Sequence, residues 1–341
     1  MVRPRSDGSA MGGGRIRTPE LLRPVGSSRW GMAAALAVAL GAVLTGTALF
    51  GRAEWGSAVG LGFVLIAVPE IPTTWRSALH TMGIRAATVV VGGVLVVAGA
   101  HNAIVLAGFT VLAAITGALI PGVGATAGLA VVLMSIDLDQ DATSMAALWP
   151  YLVGIAIVFA SWVVWFAISR LRHRIEEEPL PPSSAAGVAH AARVGVAVGL
   201  AVSVAALLPA DMVGGHWLVT SVLLTIQPSQ AETGLRLAQR LSGNAVGAVI
   251  AAALLGTHPS APVVIGLTVV LFLMAMALRP VNYTWWAIAG PPVLLVISEY
   301  PDLFPWYEGA VRLAMNFVGA LIVALMVFVV PSIMPTWLRQ R

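Results

Sequence analysis

The sequence predicts an all-α integral membrane protein made of two parallel six-helix repeats, with ten to twelve membrane segments and short broken helices among them. Three observations carry that expectation. Hydrophobic residues make up 58% of the 341 residues and charged residues only 10%, at a mean hydropathy of +0.90. Apolar segments come in two sets of six, separated by a charged, Pro- and Ser-rich stretch. The cationic residues crowd onto one side of the alternating path those segments trace. A soluble domain carries about 25% charged residues, so an ordinary soluble globular protein, a nucleic-acid binder and a disordered chain are excluded. Lipid is the solvent that tolerates so much apolar surface. The pI near 10.3 then reports membrane topology, not nucleic-acid affinity.

Residues 1–29 are rich in Arg, Gly, Ser and Pro and read as a flexible cytoplasmic tail holding Arg3, Arg5, Arg15, Arg17, Arg23 and Arg29. The apolar run after Trp30 is too long for a cleaved signal peptide, and further apolar segments follow it to the C-terminus. The first repeat, 30–169, contains segments at about Trp30–Phe50, Trp55–Val68, Ala78–Ala100, Ala103–Ile120, Gly124–Ile136 and Trp149–Ser169. Residues 170–188 read as a cytoplasmic linker. The second repeat, 189–331, contains segments at about Ala189–Ala210, Trp217–Gln227, Ser242–Gly256, Ala261–Leu278, Tyr283–Ser298 and Glu308–Val330, and 332–341 is a short cytoplasmic tail.

Charge tests the alternation. With the N-terminus inside, only Arg52 and Arg312 fall on the outer side, leaving seventeen of the nineteen arginines at the cytoplasmic side. Glu54, Asp137, Asp139, Asp141, Asp211, Glu299, Asp302 and Glu308 fall outside as well. This is the positive-inside pattern, and it places both termini in the cytoplasm of a multi-pass protein of the inner or plasma membrane.

The halves also resemble each other. At an offset of 160, Thr73, Arg76, His80 and Gly83 meet Thr233, Arg236, Arg240 and Gly243, and each stretch follows a short apolar segment opening with Trp55 or Trp217. Six segments per half make both halves enter from the same side, a parallel duplication of the kind carriers use. The second and eighth segments are short and end at Pro69 and Pro228; the fifth follows Pro121-Gly122 and the eleventh contains Pro291-Pro292. Interrupted segments at matching positions point to a transport site, because a membrane tolerates irregular backbone only beside protein or a water-filled cavity.

Candidate site residues follow from charge and spacing. Arg236, Arg240 and Asn244 stand at i, i+4 and i+8, one face of a helix. Arg76 and His80 repeat the first two steps, with Arg85 close behind. Two basic faces at the cytoplasmic mouth concentrate an anion, and Arg suits a carboxylate because its planar fork binds it through two bonds. Positive-inside anchoring by snorkelling side chains is the competing reading. Glu308, Arg312 and Asn316 form another i, i+4, i+8 stripe, read as a self-neutralising pair or an outer gate. Trp55, Trp149, Trp217, Trp285, Trp286 and Trp306 lie near segment ends and suit an interfacial belt; Trp217 and Trp285 also suit stacking on an aromatic solute. Four small-xxx-small pairs, among them Gly243/Gly247, read as helix-packing faces.

Catalysis has no candidate. The chain contains no Lys and no Cys, which excludes Schiff-base, thiolate and P-loop chemistry. It shows no HExxH and no GxSxG, and its six His are scattered. Neither an enzyme nor a cofactor or metal is expected.

The string HWLVTSVLLTIQPSQAETGLRLAQRLSGNAVGAVIAA resembles the fusaric acid resistance (FUSC-type) membrane domain. The matching features are Trp217, the turn Gln227-Pro228-Ser229, Thr233, and Arg240, Gly243 and Gly247, with Asn244 where a Thr is usual. The first half looks like a decayed copy, with Val68-Pro69-Glu70 at the turn, His80 for the Arg and Ala87 for the second Gly. The resemblance covers 189–299 clearly and 29–140 faintly. It implies kinship with aromatic acid exporters and organic-anion channels, and so export of small organic anions, aromatic carboxylic acids among them, by proton-coupled or channel-like flux. In this reading Arg236 and Arg240 orient the carboxylate, Arg76, His80 and Arg85 serve likewise in the other half, Gln227 and Asn244 add neutral hydrogen bonds, and His80 carries a proton. The expected partners are membrane lipids and a small organic anion, with a homo-oligomer left open and nucleic acid excluded. Two alternatives stand beside it: a drug/metabolite-type exporter with five-plus-five spans, and a non-transporting scaffold for cell-envelope assembly.

Overall fold

A computed structural model describes residues 21–67, 74–138, 144–171, 187–208, 214–255, 257, 259–299 and 308–333. Among them the regular structure is all helical, in the expected six-plus-six order. The first set is α1 (Trp30–Leu49), α2 (Ala53–Ile66), α3 (Trp75–Gly99), α4 (Ala103–Leu119), α5 (Thr126–Asp137) and α6 (Trp149–Leu171). The second is α7 (Val188–Ala206), α8 (Gly215–Thr225), α9 (Gln230–Leu255), α10 (Ala261–Leu278), α11 (Tyr283–Glu299) and α12 (Glu308–Ala324). The last helix runs on through a π-helical turn, Leu325–Val329, to Ile333. Six stretches, within α1, α3, α6, α7, α10 and α12 and their flanking turns, are long and apolar enough to cross a membrane. Side chains such as Val38 (70% exposed), Ile104 (84%) and Val249 (70%) face outward, the apolar exterior that lipid requires.

Local sequence sets the helix ends. Asn102 caps α4, its Oδ1 accepting from the amides of Ile104 and Val105 at 3.0 and 3.2 Å, the favoured N-cap arrangement. Ser229 and Glu232 form a capping box at the head of α9: the Ser229 hydroxyl accepts from the Glu232 amide at 3.1 Å and the Glu232 carboxylate reaches back to Ser229. Thr233 ties the turn shut, its hydroxyl accepting the Gln227 amide at 3.0 Å and donating to the Ser229 carbonyl at 2.8 Å. α9 therefore begins at Gln230, well before Ser242, where the apolar segment was placed. α3 likewise begins at Trp75, not Ala78. Arg236 and Arg240 thus lie within a continuous helix instead of at its mouth.

α2, α5 and α8 hold 14, 12 and 11 residues, so the longest of them reaches only about 21 Å against a hydrocarbon core of about 30 Å. α2 and α8 both end in an extended residue, Ala67 and Ile226, with a proline two positions on in each repeat. Gly122 and Gly124, both at positive φ, turn the chain into α5, a conformation that glycine adopts without strain.

Helix packing repeats on exchange of the halves. α1 packs on α2 and α7 on α8; α2 on α6 and α8 on α12; α3 on α5 and α9 on α11. Across the halves, α10 packs on α1 and α4 on α7, while α11 packs on α2 and α5 on α8. Residue contacts keep the relation: Gly41 faces Val269, and Gly199 faces Val111. Each repeat thus lends its fourth and fifth helices to the other, and the two apolar cores are mixed accordingly, Phe272 and Val293 joining the first and Ala114 and Val132 the second. The exchange makes one bundle of the two sets.

Backbones approach closely where the short helices pass the long ones. A Cβ on Gly62 or Gly154 would strike the backbone of α6 or α2 respectively, and one on Gly247 would strike the Ile288 carbonyl of α11. Dispersion, not hydrophobicity, holds helices together in lipid, so such small-residue contacts matter.

Residues 21–29, expected as part of a flexible tail, are instead tied to the α10–α11 connection. The Val25 amide donates to the Val281 carbonyl at 2.8 Å and the Arg29 amide to the Ala277 carbonyl at 3.1 Å. Asn282 donates to the Arg23 carbonyl at 2.9 Å, and Thr284 to that of Leu21 at 2.8 Å. Residues 1–20, 172–186 and 334–341, which include most of the tails and linker read from the sequence, lie outside the described residues.

Candidate functional site

α9 carries its basic face into the bundle. Arg240 is 6% exposed. Its Nη2 donates to Asn316 Oδ1 at 3.1 Å and its Nη1 to the Tyr283 hydroxyl at 3.3 Å. Asn316 in turn donates to the Arg312 carbonyl at 2.8 Å. Arg312, also 6% exposed, lies over the Trp217 ring at 3.3 Å and donates to the Pro291 carbonyl at 2.8 Å. Arg236, one turn before Arg240, lies over the Tyr283 ring at 3.7 Å, and Arg279 over Trp286 at 4.8 Å. The guanidiniums thus form a column down the second repeat, spaced by amide and aromatic groups. Aromatic faces attract cations without cancelling their charge as a carboxylate does.

The prolines of α11 explain part of this geometry. Pro291 and Pro292 have no amide hydrogen, so the carbonyls of Ala287 and Ile288 lose their partners within the helix. Gly243 and Gly247 bring α9 against that same stretch. A void of about 10 Å³ lies there, lined by Asn244, Arg312, Asn316 and Pro291 among others, room for one water-sized species. Arg240 Nε, Arg312 Nε and both amide atoms of Asn244 are buried without a partner among the described atoms. Buried polar groups are normally satisfied, so this spot is built for something polar and small.

The first repeat supplies the symmetric arginine, and the structure changes the alignment read at offset 160. Arg85 is the eleventh residue of α3 and Arg240 the eleventh of α9. Arg85 Nη1 donates to Thr126 at 3.3 Å and Arg240 Nη1 to Tyr283; Thr126 and Tyr283 open α5 and α11. Arg240 therefore corresponds to Arg85, not to His80. A cavity of about 280 Å³ lies between the repeats, lined among others by Arg85, Arg279, Tyr283, Trp286, Thr126 and Thr220.

The sequence candidates thus separate. Arg240, Arg236, Asn244 and Trp217 come together, with Arg85 across the cavity. Arg76 and His80 are exposed, apart from this group. Gln227 folds its amide onto the Ile226 carbonyl at 3.0 Å and lines a separate cavity of about 230 Å³ with His190 and Pro228. Trp217 is 6% exposed and stacks under Arg312, so it is no interfacial anchor. The Glu308 side chain lies outside the described residues; the Arg312 guanidinium has Pro291 and Trp217 as its described partners. Spacing alone presents Arg312 and Asn316 as a pair or gate and does not single out Tyr283, Arg279, Thr126 or Thr220. The helix-opening position shared by Thr126 and Tyr283 was the available signal.

This fold and its buried arginine column define an all-α polytopic membrane protein. Residues 200–326, within the second repeat, match the family model described as fusaric acid resistance protein-like, as the sequence resemblance there implied, and this match together with the apolar helices suggests a transporter-type role. No curated protein and no solved structure matches the chain.

Proposed function

We propose that the protein moves small organic anions, aromatic carboxylates among them, across the cell membrane, outward from the cytoplasm. The observation that carries this reading is the buried pair Arg240 and Arg312, whose described partners are amide, carbonyl, phenol and aromatic groups, together with a cavity between the repeats lined by Arg85 and Arg279. A charged side chain at membrane depth is costly, and an anion is the ligand that offsets that cost. The cavity of about 280 Å³ has space for a benzoate-sized solute. Arg85 and Arg279 are placed to meet its carboxylate, and Tyr283 and Trp286 its ring. Arg240 acts through Tyr283 and Asn316, linking the cavity to Arg312. The arginine excess puts the Arg279 end of the bundle in the cytoplasm.

Flux of 4-hydroxybenzoate into proteoliposomes tests the proposal, with and without an imposed pH gradient. Saturable flux in the wild type that is lost in a folded Arg85→Ala/Arg279→Ala variant is the expected result. Wild-type flux no greater than in empty liposomes, across a panel of organic acids, would overturn it.

A further inference from the structure

The two repeats differ in charge at one equivalent place. α2 passes α6 as α8 passes α12: Gly62 abuts the Tyr151 carbonyl where Ser221 donates to the Asn316 carbonyl, and Gly154 abuts Val59 where Gly319 abuts Leu218. Tyr151 therefore corresponds to Asn316, and Ser57 to His216. In the second repeat this place holds Arg312, Asn316 and Trp217. In the first it holds a carboxylate. Asp137, the last residue of α5, accepts hydrogen bonds from the Ser57 hydroxyl of α2 and the Tyr151 phenol of α6. Ser57 is 5% exposed and Tyr151 2%, while Asp137 is half-buried at the rim.

No cation is described among its neighbours. α4 carries no charged residue. Arg85 of α3 bonds Thr126 at the opposite end of α5, about 16 Å away along the helix axis. Arg52 at the head of α2 covers the Trp55 ring at 5.2 Å. His216 of α8 lies against Trp217 at 4.5 Å, and His101 after α3 is exposed. The Glu54 side chain lies outside the described residues. Among the described residues, Tyr151 is thus the titratable group that faces Asp137; Asp139 and Asp141 lie outside them. A carboxylate in such surroundings is costly when ionised. Adding a proton removes the charge and makes the carboxyl a donor to one of the two hydroxyls, which can each reverse.

We propose that Asp137, cradled by Ser57 and Tyr151, is a reversible proton-binding site that couples the transport reading above to a proton gradient. It rests on that reading for its role, though not for its chemistry. The proton-binding group lies in the first repeat, and the Arg312, Asn316 and Trp217 end of the arginine column lies at the equivalent place in the second. A change of packing across the shared helices α4, α5, α10 and α11 reaches both. His80, exposed on α3, is not needed as a carrier.

Two measurements on the reconstituted full chain test this. N,N′-dicyclohexylcarbodiimide reacts with protonated carboxyls in apolar surroundings, and mass spectrometry locates the adduct. Asp137 should be labelled near neutral pH, with a yield that falls as pH rises; absence of labelling in folded wild type would overturn the proposal. Asp137→Asn keeps an acceptor for one hydroxyl and offers an N–H donor to the other, and should retain 4-hydroxybenzoate flux while losing all stimulation by a pH gradient. Stimulation surviving in that variant would also overturn it. Should Asp137→Asn fail to insert, Tyr151→Phe serves: it should shift the pH profile of labelling, and an unchanged profile counts against the site. A wild type that is labelled but moves no organic acid supports the proton site and refutes the anion reading instead, so the two failures are distinct.

Discussion

Replacing Arg240 with Met separates a transport role from a structural one, because the expected stability change is small. Arg240 makes two charge-assisted hydrogen bonds, to Asn316 and Tyr283, each contributing about 1.5–3 kcal/mol. Their loss costs roughly 3–6 kcal/mol. Against this, removing a charge from membrane depth recovers about 2.5–3.5 kcal/mol. The net destabilisation is therefore about 0–3 kcal/mol, small enough for a folded, inserted protein. Transport has no such compensation. Under the proposed function the guanidinium supplies at least one charge-assisted contact to the passing anion or to the groups that orient it, so flux should fall on the order of ten- to a hundredfold. The assay pairs a thermal melt in detergent with initial rates of organic-acid flux in liposomes. Arg240→Lys, which keeps charge but lacks the fork that spans Asn316 and Tyr283, should recover part of the rate. Wild-type flux in a stable Arg240→Met protein would refute the reasoning, since the buried charge would then have no bearing on transport.

The remaining expectations concern the fold that builds the site. Gly154→Val should destabilise by about 1–3 kcal/mol through overpacking, because its Cβ would meet α2 backbone, whereas Gly266→Ala, with open space at its Cβ, should be neutral or gain up to about 1 kcal/mol; thermal melts decide. The chain has no native Cys, so cysteine pairs at 41/269 and at 111/199 can be introduced cleanly. Both should cross-link within one monomer on mild oxidation, and a pair that does so only between monomers would contradict the exchange of helices. Tyr283→Phe should slow flux by at most about tenfold, since it removes one hydrogen bond to Arg240, worth about 1.5 kcal/mol, and keeps the ring beneath Arg236.

The six-plus-six helix order and the membrane class were legible in the sequence, because lipid demands long apolar stretches whatever they pack against. The capping box of Ser229 and Glu232 also marked the true start of α9, though hydropathy, diluted by Glu232, Arg236 and Arg240, pointed further along. The pairing of Arg85 with Arg240 was not legible from one offset. The repeats differ by 155 residues at this arginine pair but by 165 at Tyr151 and Asn316, since their connections differ in length; a single shift of 160 set Arg240 against His80. Arg312 shows the same limit. Its i, i+4 spacing from Glu308 invited a surface pair, and only the crossing of α12 over α8 lays it on Trp217.

Composition and apolar spacing by themselves determined that this chain lives in a membrane as a helical bundle of two six-helix sets. Those properties depend on transfer to lipid, which each segment undergoes by its own composition. Which arginines are buried together, which carboxylate stands at the equivalent place in the other repeat, and where a cavity opens were decided by tertiary structure. They depend on side chains from helices distant in sequence, brought together when each repeat lends its fourth and fifth helices to the other.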